Sequence, residues 1–186
     1  MKNKLGIYIG SFNPPHIGHK QVANYLVDNN YVDKLLIVPT LNYWNKQNLI
    51  DIKYRIQMLK YYETPNIMVD DKNNMYQYTY ELLRVLSEEY ADSKLYLIIG
   101  ADNIIDFPKW KNVDEILNYN IIVVNRNNID INTYIDKYNY NKDNFIVIDN
   151  YSFNEISSTR IRNNIDEYSY ALDNKVYKYI KNNNLY

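Results

Sequence analysis

Cysteine is absent from the 186 residues, and both glycine (4) and histidine (2) are scarce. Without cysteine the chain can form neither a disulfide nor a thiolate metal site, which favours a reducing cytoplasm as its location. No apolar run approaches the roughly 20 residues of a membrane-spanning helix, and no apolar core of a signal peptide is present. The sequence therefore predicts a cytoplasmic protein without a membrane partner.

An excess of charge of either sign is also absent. The 21 basic residues nearly balance the 22 acidic ones, which gives a formal net charge of −1. The basic side chains are spread along the chain without a cluster, so the electrostatic footprint of a nucleic-acid-binding surface is missing. We therefore expect no nucleic-acid partner.

Short apolar, β-branched segments are present and alternate with segments of helical period. Most of the apolar segments are unbroken, which is typical of strands covered on both faces and therefore of a parallel sheet. The predicted strands cover 5–10, 34–39, 66–70, 94–100, 120–126 and 144–149, and the predicted helices cover about 17–29, 52–62, 77–91, 113–118, 131–138, 159–165 and 173–183.

This alternation predicts an α/β fold with a doubly wound parallel sheet of about five to six strands. We expect a single domain over residues 1–186, with a helical part at about 155–186. Ligands of such sheets bind at the carboxyl ends of the strands, near the point where the strand order reverses. Binding residues are therefore expected in the segments that follow the strands.

The segment "GSFNPPHIGH" (10–19) joins the first predicted strand to the first predicted helix and contains both histidines. Gly10 allows a sharp turn and the close approach of a ligand. A helix that begins near His16 presents free N–H groups and the positive end of its dipole, which favours an anion. His16 and His19 share one face of the first turn, and Gly18 leaves room between them.

The spacing alone leaves three interpretations of the histidine pair. The imidazoles could donate hydrogen bonds to a phosphate group as its charge grows in a transition state. They could instead form a solvated helix start without a function. Metal binding is the third interpretation, but no carboxylate is nearby and the helix dipole disfavours a cation. The spacing favours the phosphate.

A second polar segment, "ISSTRIR" (156–162), lies near the other end of the chain. Its hydroxyl side chains favour a helix N-terminus, and arginines follow in helical register. Hydroxyls and an arginine at a helix start predict a second phosphate site. An ordinary capped helix with solvated arginines is the alternative, and from this segment alone it is the favoured interpretation.

Both segments resemble motifs of the nucleotidyltransferase superfamily, whose members transfer AMP or CMP to a phosphate-bearing acceptor. The first is similar to the ATP-binding signature G-[ST]-F-[DN]-P-x-[HT]-x-G-H, although Ile9 stands where many bacterial members have another glycine. The second is similar to I-S-S-T-x-I-R. The resemblance implies a Rossmann-like nucleotidyltransferase fold with His16 and His19 as catalytic residues. It implies ATP binding by Gly10, Ser11, Phe12, Gly18, Arg126, Ser157, Ser158, Thr159 and Arg162.

Further segments resemble the nicotinate or nicotinamide mononucleotide adenylyltransferases. "YLIIGADNIIDFPKW" (96–110) is similar to their G-A-D…W element, in which the tryptophan stacks on the pyridine ring and the aspartate contacts the nucleotide. "YTYEL" (78–82) resembles Y-T-x-[DE]-T-L, and "NYWNKQN" (42–48) stands where the family has P-H-K, with Asn45 replacing the histidine. The implied mononucleotide-binding residues are Asn13, Lys46, Thr79, Gly100, Asp102 and Trp110.

The resemblance covers nearly the whole chain, because "RIQML" (55–59) and "VYKYIKNNNLY" (176–186) are also similar to family segments, which we interpret as structural. It implies transfer of AMP from ATP to nicotinic acid mononucleotide, giving deamido-NAD and pyrophosphate. Mg²⁺ is implied as a cofactor held mainly by the ATP phosphates, without protein ligands of its own.

Three alternatives to this function stay open. The same reaction could prefer nicotinamide mononucleotide, the chain could be another nucleotidyltransferase with the H-x-G-H motif, or it could be a nucleotide-binding module that has lost catalysis. Superfamily members are often dimers or larger, so a homo-oligomer is a further expectation, although no sequence feature marks an interface.

Overall fold

The computed structural model describes residues 2–41, 49–125, 129–149 and 156–186. The strands are β1 (Asn3–Gly10), β2 (Lys34–Pro39), β3 (Ile67–Val69), β4 (Ser93–Gly100), β5 (Asn120–Val124) and β6 (Phe145–Ile148). They form one all-parallel sheet in the order β3-β2-β1-β4-β5-β6. This order confirms the predicted single α/β domain with a doubly wound, Rossmann-like sheet.

Helices connect the strands and cover both faces of the sheet. They are α1 (Ile17–Asp28), α2 (Ile52–Lys60), α3 (Thr79–Glu89), α4 (Ala101–Asp106), α5 (Val113–Ile116), α6 (Ile131–Lys137), α7 (Ser158–Asn163) and α8 (Asn174–Asn182). All except α4 were predicted, with ends that differ by up to two residues. Among the described residues, no helix has both the length and the apolarity that a membrane crossing requires.

The unbroken apolar strands separate two hydrophobic layers. Successive side chains of a strand point to opposite faces, so Ile7 of β1 packs in one layer and Tyr8 packs in the other. Helices α1, α2, α7 and α8 contribute to the layer that contains Tyr8. Helices α3, α4, α5 and α6 contribute to the layer that contains Ile7. Both faces of the sheet are therefore buried, which explains the lack of polar alternation in the strand sequences.

The strand order reverses between β1 and β4, which are adjacent in the sheet but distant in the chain. The loops that follow Gly10 and Gly100 diverge at this point, because β1 leads back to β2 on one side and β4 leads to β5 on the other. A crevice at the carboxyl ends of these two strands is the usual ligand position of a doubly wound sheet. The fold therefore places the 10–19 segment at the ligand edge.

Candidate active site

The loop between β1 and α1 bends at Asn13 and Pro14, and its residue with a positive φ is Phe12 rather than Gly10. Phe12 has a φ of 46°, in the left-handed region, whereas none of the described glycines has a positive φ. Gly10 provides space instead, since a Cβ atom there would lie 2.9 Å from Cζ of the Phe12 ring. The sharp turn expected at Gly10 lies at Asn13 and Pro14 instead, and a side chain at Gly10 would meet the Phe12 ring.

The two histidines lie together at the start of α1. His16 is the N-cap and is buried, and its ring stacks on that of His19 with centroids 3.7 Å apart. The backbone N–H of His16 donates to Nδ1 of His19 at 3.2 Å. Because Nδ1 accepts this bond, the proton of a neutral His19 ring is assigned to Nε2, which is then a hydrogen-bond donor. Phe12 supports the same ring from its edge at 4.9 Å.

Helix α7 is docked against this loop, so the structure brings the two predicted phosphate segments together. The hydroxyl of Ser158 donates to the carbonyl of Pro14 at 2.9 Å. One N–H of Arg162 donates to the carbonyl of Asn13 at 2.6 Å, and another donates to Oγ1 of Thr159 at 3.2 Å. Ser157 is the N-cap of α7, and its exposed side chain accepts from a backbone N–H of its own helix.

Arg55 of α2 is buried and joins two segments at the carboxyl edge of the sheet. Its guanidinium donates to the carbonyls of Ser11 (2.7 Å), Thr40 (2.8 Å) and Ile50 (3.1 Å). It thereby ties the loop after β1 to the segment after β2. Burial lowers the pKa of Arg55, but arginine remains charged in proteins. The sequence indicated a structural role for the "RIQML" segment without showing which loops its arginine would join.

A cavity of about 480 Å³ opens at the carboxyl ends of β1 and β4. Its walls come from the ends of strands and from the segments that follow them. They include Ile9, Gly10, Ser11, Thr40, Leu41, Tyr76, Gln77, Tyr78, Thr79, Leu82, Ile99, Asn103, Asp106, Lys109 and Trp110. Gly10 and Ser11 also belong to the loop that carries the histidines, so the cavity and the histidine pair are neighbours along one short loop.

The predicted mononucleotide residues divide into those that line this cavity and those that do not. Thr79, the first residue of α3, and the half-buried Trp110 both line it. Gly100 ends β4 beneath the opening, and Asp102 is exposed in the first turn of α4. Asn13 is buried, and its Oδ1 accepts from the Tyr186 hydroxyl at 2.7 Å and from the Ile50 N–H at 3.4 Å.

Two predicted residues, Lys46 and Arg126, lie outside the described residues, as does the whole "NYWNKQN" segment. Gly18 and Phe12 are described and buried, so they shape the loop from within rather than from its surface. Sequence reasoning gave no role to the aromatic and amide residues that precede α3, namely Tyr76, Gln77 and Tyr78, and it placed Asn103 at a strand end without assigning it to the site. Their positions just before a helix or just after a strand end are the signal that points to them.

A dedicated metal site is not evident within the described ranges. No group of three or more His, Asp and Glu side chains lies close enough there to hold a metal ion. The chemistry of the loop instead suits an anion, because it combines imidazoles, N–H groups at the start of α1 and the guanidinium of Arg162.

Comparison with known proteins places these features in a family. Residues 7–164 match the model of the family described as cytidylyltransferase-like. A Fusobacterium nucleatum protein named "Probable nicotinate-nucleotide adenylyltransferase" is 35% identical over 188 residues, covering 96% of this chain and 97% of that protein. The nicotinate-nucleotide adenylyltransferase of Bacillus subtilis is 32% identical over 194 residues, covering 98% of each chain.

A solved structure has the same fold over nearly its full length. The nicotinic acid mononucleotide adenylyltransferase of Plasmodium falciparum, complexed with NaAD, matches with a TM-score of 0.79 at 23% identity. The match covers 98% of this chain and 97% of that one. At this identity the likeness supports the Rossmann-like fold alone.

Proposed function

The chain belongs to the cytidylyltransferase-like family, and we propose on that basis that it transfers AMP from ATP to nicotinic acid mononucleotide. The products are deamido-NAD and pyrophosphate. The observation that carries this proposal is the position of the cavity: it contains Thr79 and Trp110, and it shares Gly10 and Ser11 with the histidine loop. Relatives named for this activity, at 32–35% identity over almost the entire chain, support it.

The reaction is a displacement at phosphorus. A phosphate oxygen of the mononucleotide attacks the α-phosphorus of ATP, and the bond from that phosphorus to the oxygen bridging to the β-phosphate breaks. Pyrophosphate leaves with the electron pair. The attacking phosphate is already ionised at neutral pH, so no general base is required, and catalysis comes from positioning and charge stabilisation.

His19 is the side chain best prepared to stabilise the reacting phosphates. Its Nδ1 accepts a hydrogen bond from a backbone N–H, so a phosphate oxygen would accept one from its Nε2–H. The stacked His16 and the edge-on Phe12 hold the ring in place. A donor that is fixed before the reaction needs no reorganisation as negative charge moves, which is the main requirement for this kind of catalysis.

Helix α7 approaches the same phosphates from the other end of the chain. Arg162 carries five N–H donors, so it retains donors beyond its bonds to Asn13 and Thr159. Together with the hydroxyls of Ser157 and Thr159, it would bind the β- and γ-phosphates, whereas the one O–H of Ser158, also expected from the motif to bind ATP, is donated to the Pro14 carbonyl and would hold α7 in place. The docking of α7 on the Asn13–Pro14 backbone fixes the distance between these groups and the histidines.

The mononucleotide would occupy the cavity. Trp110 offers a flat face for the pyridine ring, Thr79 would read its carboxylate or amide, and Asp102 would bind ribose hydroxyls. Lys46 would hold the mononucleotide phosphate, and Arg126 would lie near ATP. Mg²⁺ would enter as part of the substrate, bound mainly by the ATP phosphates.

The direct test is to incubate the protein with ATP, Mg²⁺ and either nicotinic acid mononucleotide or nicotinamide mononucleotide. Pyrophosphate and dinucleotide would be followed by chromatography. We expect product from both, with the higher kcat/KM for nicotinic acid mononucleotide. A higher kcat/KM for the amide would favour the alternative substrate, and no product from either would contradict the proposed function.

Replacement of Trp110 tests the role of the cavity separately from that of the histidine loop. A base stacked on an aromatic side chain gains about 1–3 kcal/mol, so Trp110→Ala should raise the KM for the mononucleotide about 5- to 150-fold. The KM for ATP should change little. Steady-state kinetics with each substrate varied in turn would measure both values, and an equal rise in the two would contradict the assignment of Trp110.

A further inference from the structure

The hydroxyl of Tyr186 reaches the histidine loop from a distant part of the chain. It donates to Oδ1 of Asn13 at 2.7 Å. The residue as a whole is 37% exposed, so its ring partly faces solvent while its hydroxyl points inward to a buried partner. Burial raises the pKa of the Tyr186 phenol, although the guanidinium groups of Arg55 and Arg162 oppose that rise. The hydroxyl therefore keeps its proton at neutral pH and remains a donor.

The bond from Tyr186 belongs to a set of contacts along the outer side of the loop. Arg55 holds the carbonyl of Ser11, Arg162 holds the carbonyl of Asn13, and Ser158 holds the carbonyl of Pro14. These three contacts act on the backbone. Tyr186 differs from them because it fixes a side chain, that of Asn13, which is only 4% exposed.

Asn13 lies in the chain between two residues that determine where the histidines sit. Phe12, immediately before it, has a left-handed backbone conformation, and its ring contacts His19 edge-on at 4.9 Å. Pro14, immediately after it, leads into the N-cap His16. A change in the orientation of Asn13 would therefore move the Phe12 ring on one side and the start of α1 on the other.

We propose that Tyr186 is a positioning residue for the catalytic histidines, which acts by holding the side chain of Asn13. The kinetic consequence of this role rests on the proposed function. The structural consequence, a fixed arrangement of the two imidazole rings, does not depend on which substrates the protein uses.

The kinetic test compares two phenylalanine variants. Tyr186→Phe removes only the hydroxyl that donates to Asn13 at 2.7 Å and leaves the longer bond from the Ile50 N–H at 3.4 Å. Tyr177→Phe is the matched control, since it removes a hydroxyl of α8 that donates to an exposed carboxylate, Asp166, at 2.9 Å. We expect Tyr186→Phe to lower kcat about fivefold, the factor that corresponds to one ordinary hydrogen bond. The KM for each substrate should stay within about twofold, and Tyr177→Phe should match the wild type.

A second readout needs no turnover. His16 and His19 are the only histidines in the sequence, so the imidazole region of an NMR spectrum contains the signals of these two rings alone. Tyr186→Phe should shift or broaden them, and Tyr177→Phe should leave them unchanged. Thermal unfolding of each variant would confirm that both are folded at the temperature of measurement.

The two readouts keep the proposals separate. If the wild type forms no dinucleotide, the proposed function fails while the imidazole spectra still decide the role of Tyr186. Unchanged imidazole signals in Tyr186→Phe, or equal changes in the two variants, would overturn the positioning role. Loss of activity through KM alone would overturn its kinetic consequence, because a positioning residue acts on the histidines and not on substrate binding.

Discussion

The strained residue of the histidine loop is Phe12, with its φ of 46°. A non-glycine residue in this region costs of the order of 1–3 kcal/mol, and such conformations persist only when the surroundings fix them. The fixing contacts are visible, because the buried Phe12 ring packs edge-on to Tyr8 at 5.4 Å and to His19 at 4.9 Å. The placement of His19 therefore depends on the left-handed backbone conformation of Phe12 and on the position of the Phe12 ring.

Replacement of His19 is the most direct single-residue prediction. Loss of one preorganised donor typically lowers kcat by about 10²–10³-fold, so we expect His19→Ala to do the same while ATP binding, measured by calorimetry, changes only a few-fold. His19→Asn keeps an N–H donor on the same helical turn and should retain more activity than alanine. An alanine variant with normal ATP affinity and full kcat would contradict the role given to His19.

Two glycines of β1 provide a matched pair. In Gly10→Ala the new Cβ would lie 2.9 Å from the Phe12 ring, whereas in Gly6→Ala it would lie 2.8 Å from Cδ1 of Ile98, the end of a flexible side chain. Overpacking of this kind costs about 1–3 kcal/mol. Urea unfolding should show a loss of stability in both variants, because the Cβ at Gly6 would also lie 3.2 Å from both γ-carbons of the buried Val32. Only Gly10→Ala should also lower kcat, and an equal kcat in the two variants would count against the link between Phe12 and the histidines.

Among the elements, α8 is joined to α1 by an ion pair. Lys20 of α1 donates to Asp173 at 2.8 Å, and Asp173 is also the N-cap of α8, where it accepts from the backbone N–H of Lys175. Partial burial opposes ionisation of Asp173, but the hydrogen bonds from Lys20 and Lys175 outweigh it and hold the pKa of this carboxyl below its usual value. A lowered folded-state pKa means that ionised Asp173 stabilises the fold.

This stabilisation has a defined pH dependence. It is present above the ordinary aspartate pKa of about 3.9, and it is lost as the pH falls through the lower folded-state pKa. Asp173→Asn should therefore reduce the free energy of unfolding by about 0.5–1 kcal/mol at pH 7, and the difference from wild type should shrink below about pH 4. Chemical denaturation at several pH values measures this. Asp166→Asn, at a more exposed pair with Lys181, is the control with a smaller expected effect, and a difference independent of pH would contradict the assignment.

The elements also show what sequence patterns can and cannot predict. The strands were predictable because strands buried on both faces must be continuously apolar. Their order in the sheet was not predicted, because no single segment specifies which strands are neighbours. Helix α4 was missed because its six residues, "ADNIID", follow a strand directly and are too few to show a helical period. The turn of the histidine loop was predicted at Gly10 because backbone freedom is a property of glycine. The structure has its bends at Asn13 and Pro14, and the position of the Phe12 ring beside Gly10 is set by tertiary packing.

Only part of the candidate site could be predicted from the sequence. His16, His19 and Thr79 lie at helix starts and Trp110 lines the cavity, as expected from the motifs, while their roles stay predictions. The contact between Tyr186 and Asn13 joins residues 173 positions apart. No local pattern specifies a contact of this kind, since it results from the docking of α7 and α8 on the sheet.

At the scale of the whole molecule, the two ends of the chain share one ligand edge, so substrates should stabilise the entire fold. A ligand at 100 times its Kd adds about 2.7 kcal/mol to the free energy of unfolding, which corresponds to a rise in Tm of about 5–10 °C for a domain of this size. We expect deamido-NAD, which would span both subsites, to raise the Tm more than ATP alone. Scanning calorimetry with Trp110→Ala as the control should show that this advantage is reduced, and an equal shift for both ligands would contradict a shared site.

The docking of residues 158–186 on the loop after β1 also has a consequence for synthesis on the ribosome. The carbonyls of Asn13 and Pro14 and the side chain of Asn13 receive hydrogen bonds from Arg162, Ser158 and Tyr186. Translation proceeds at about 5–20 residues per second, so these partners are made roughly 7–35 s after the histidines. A nascent chain can pair β1 with β2 and β4 long before that time. The histidine loop is therefore completed last, and a chain whose translation stops before α7 would contain the sheet without a finished active site.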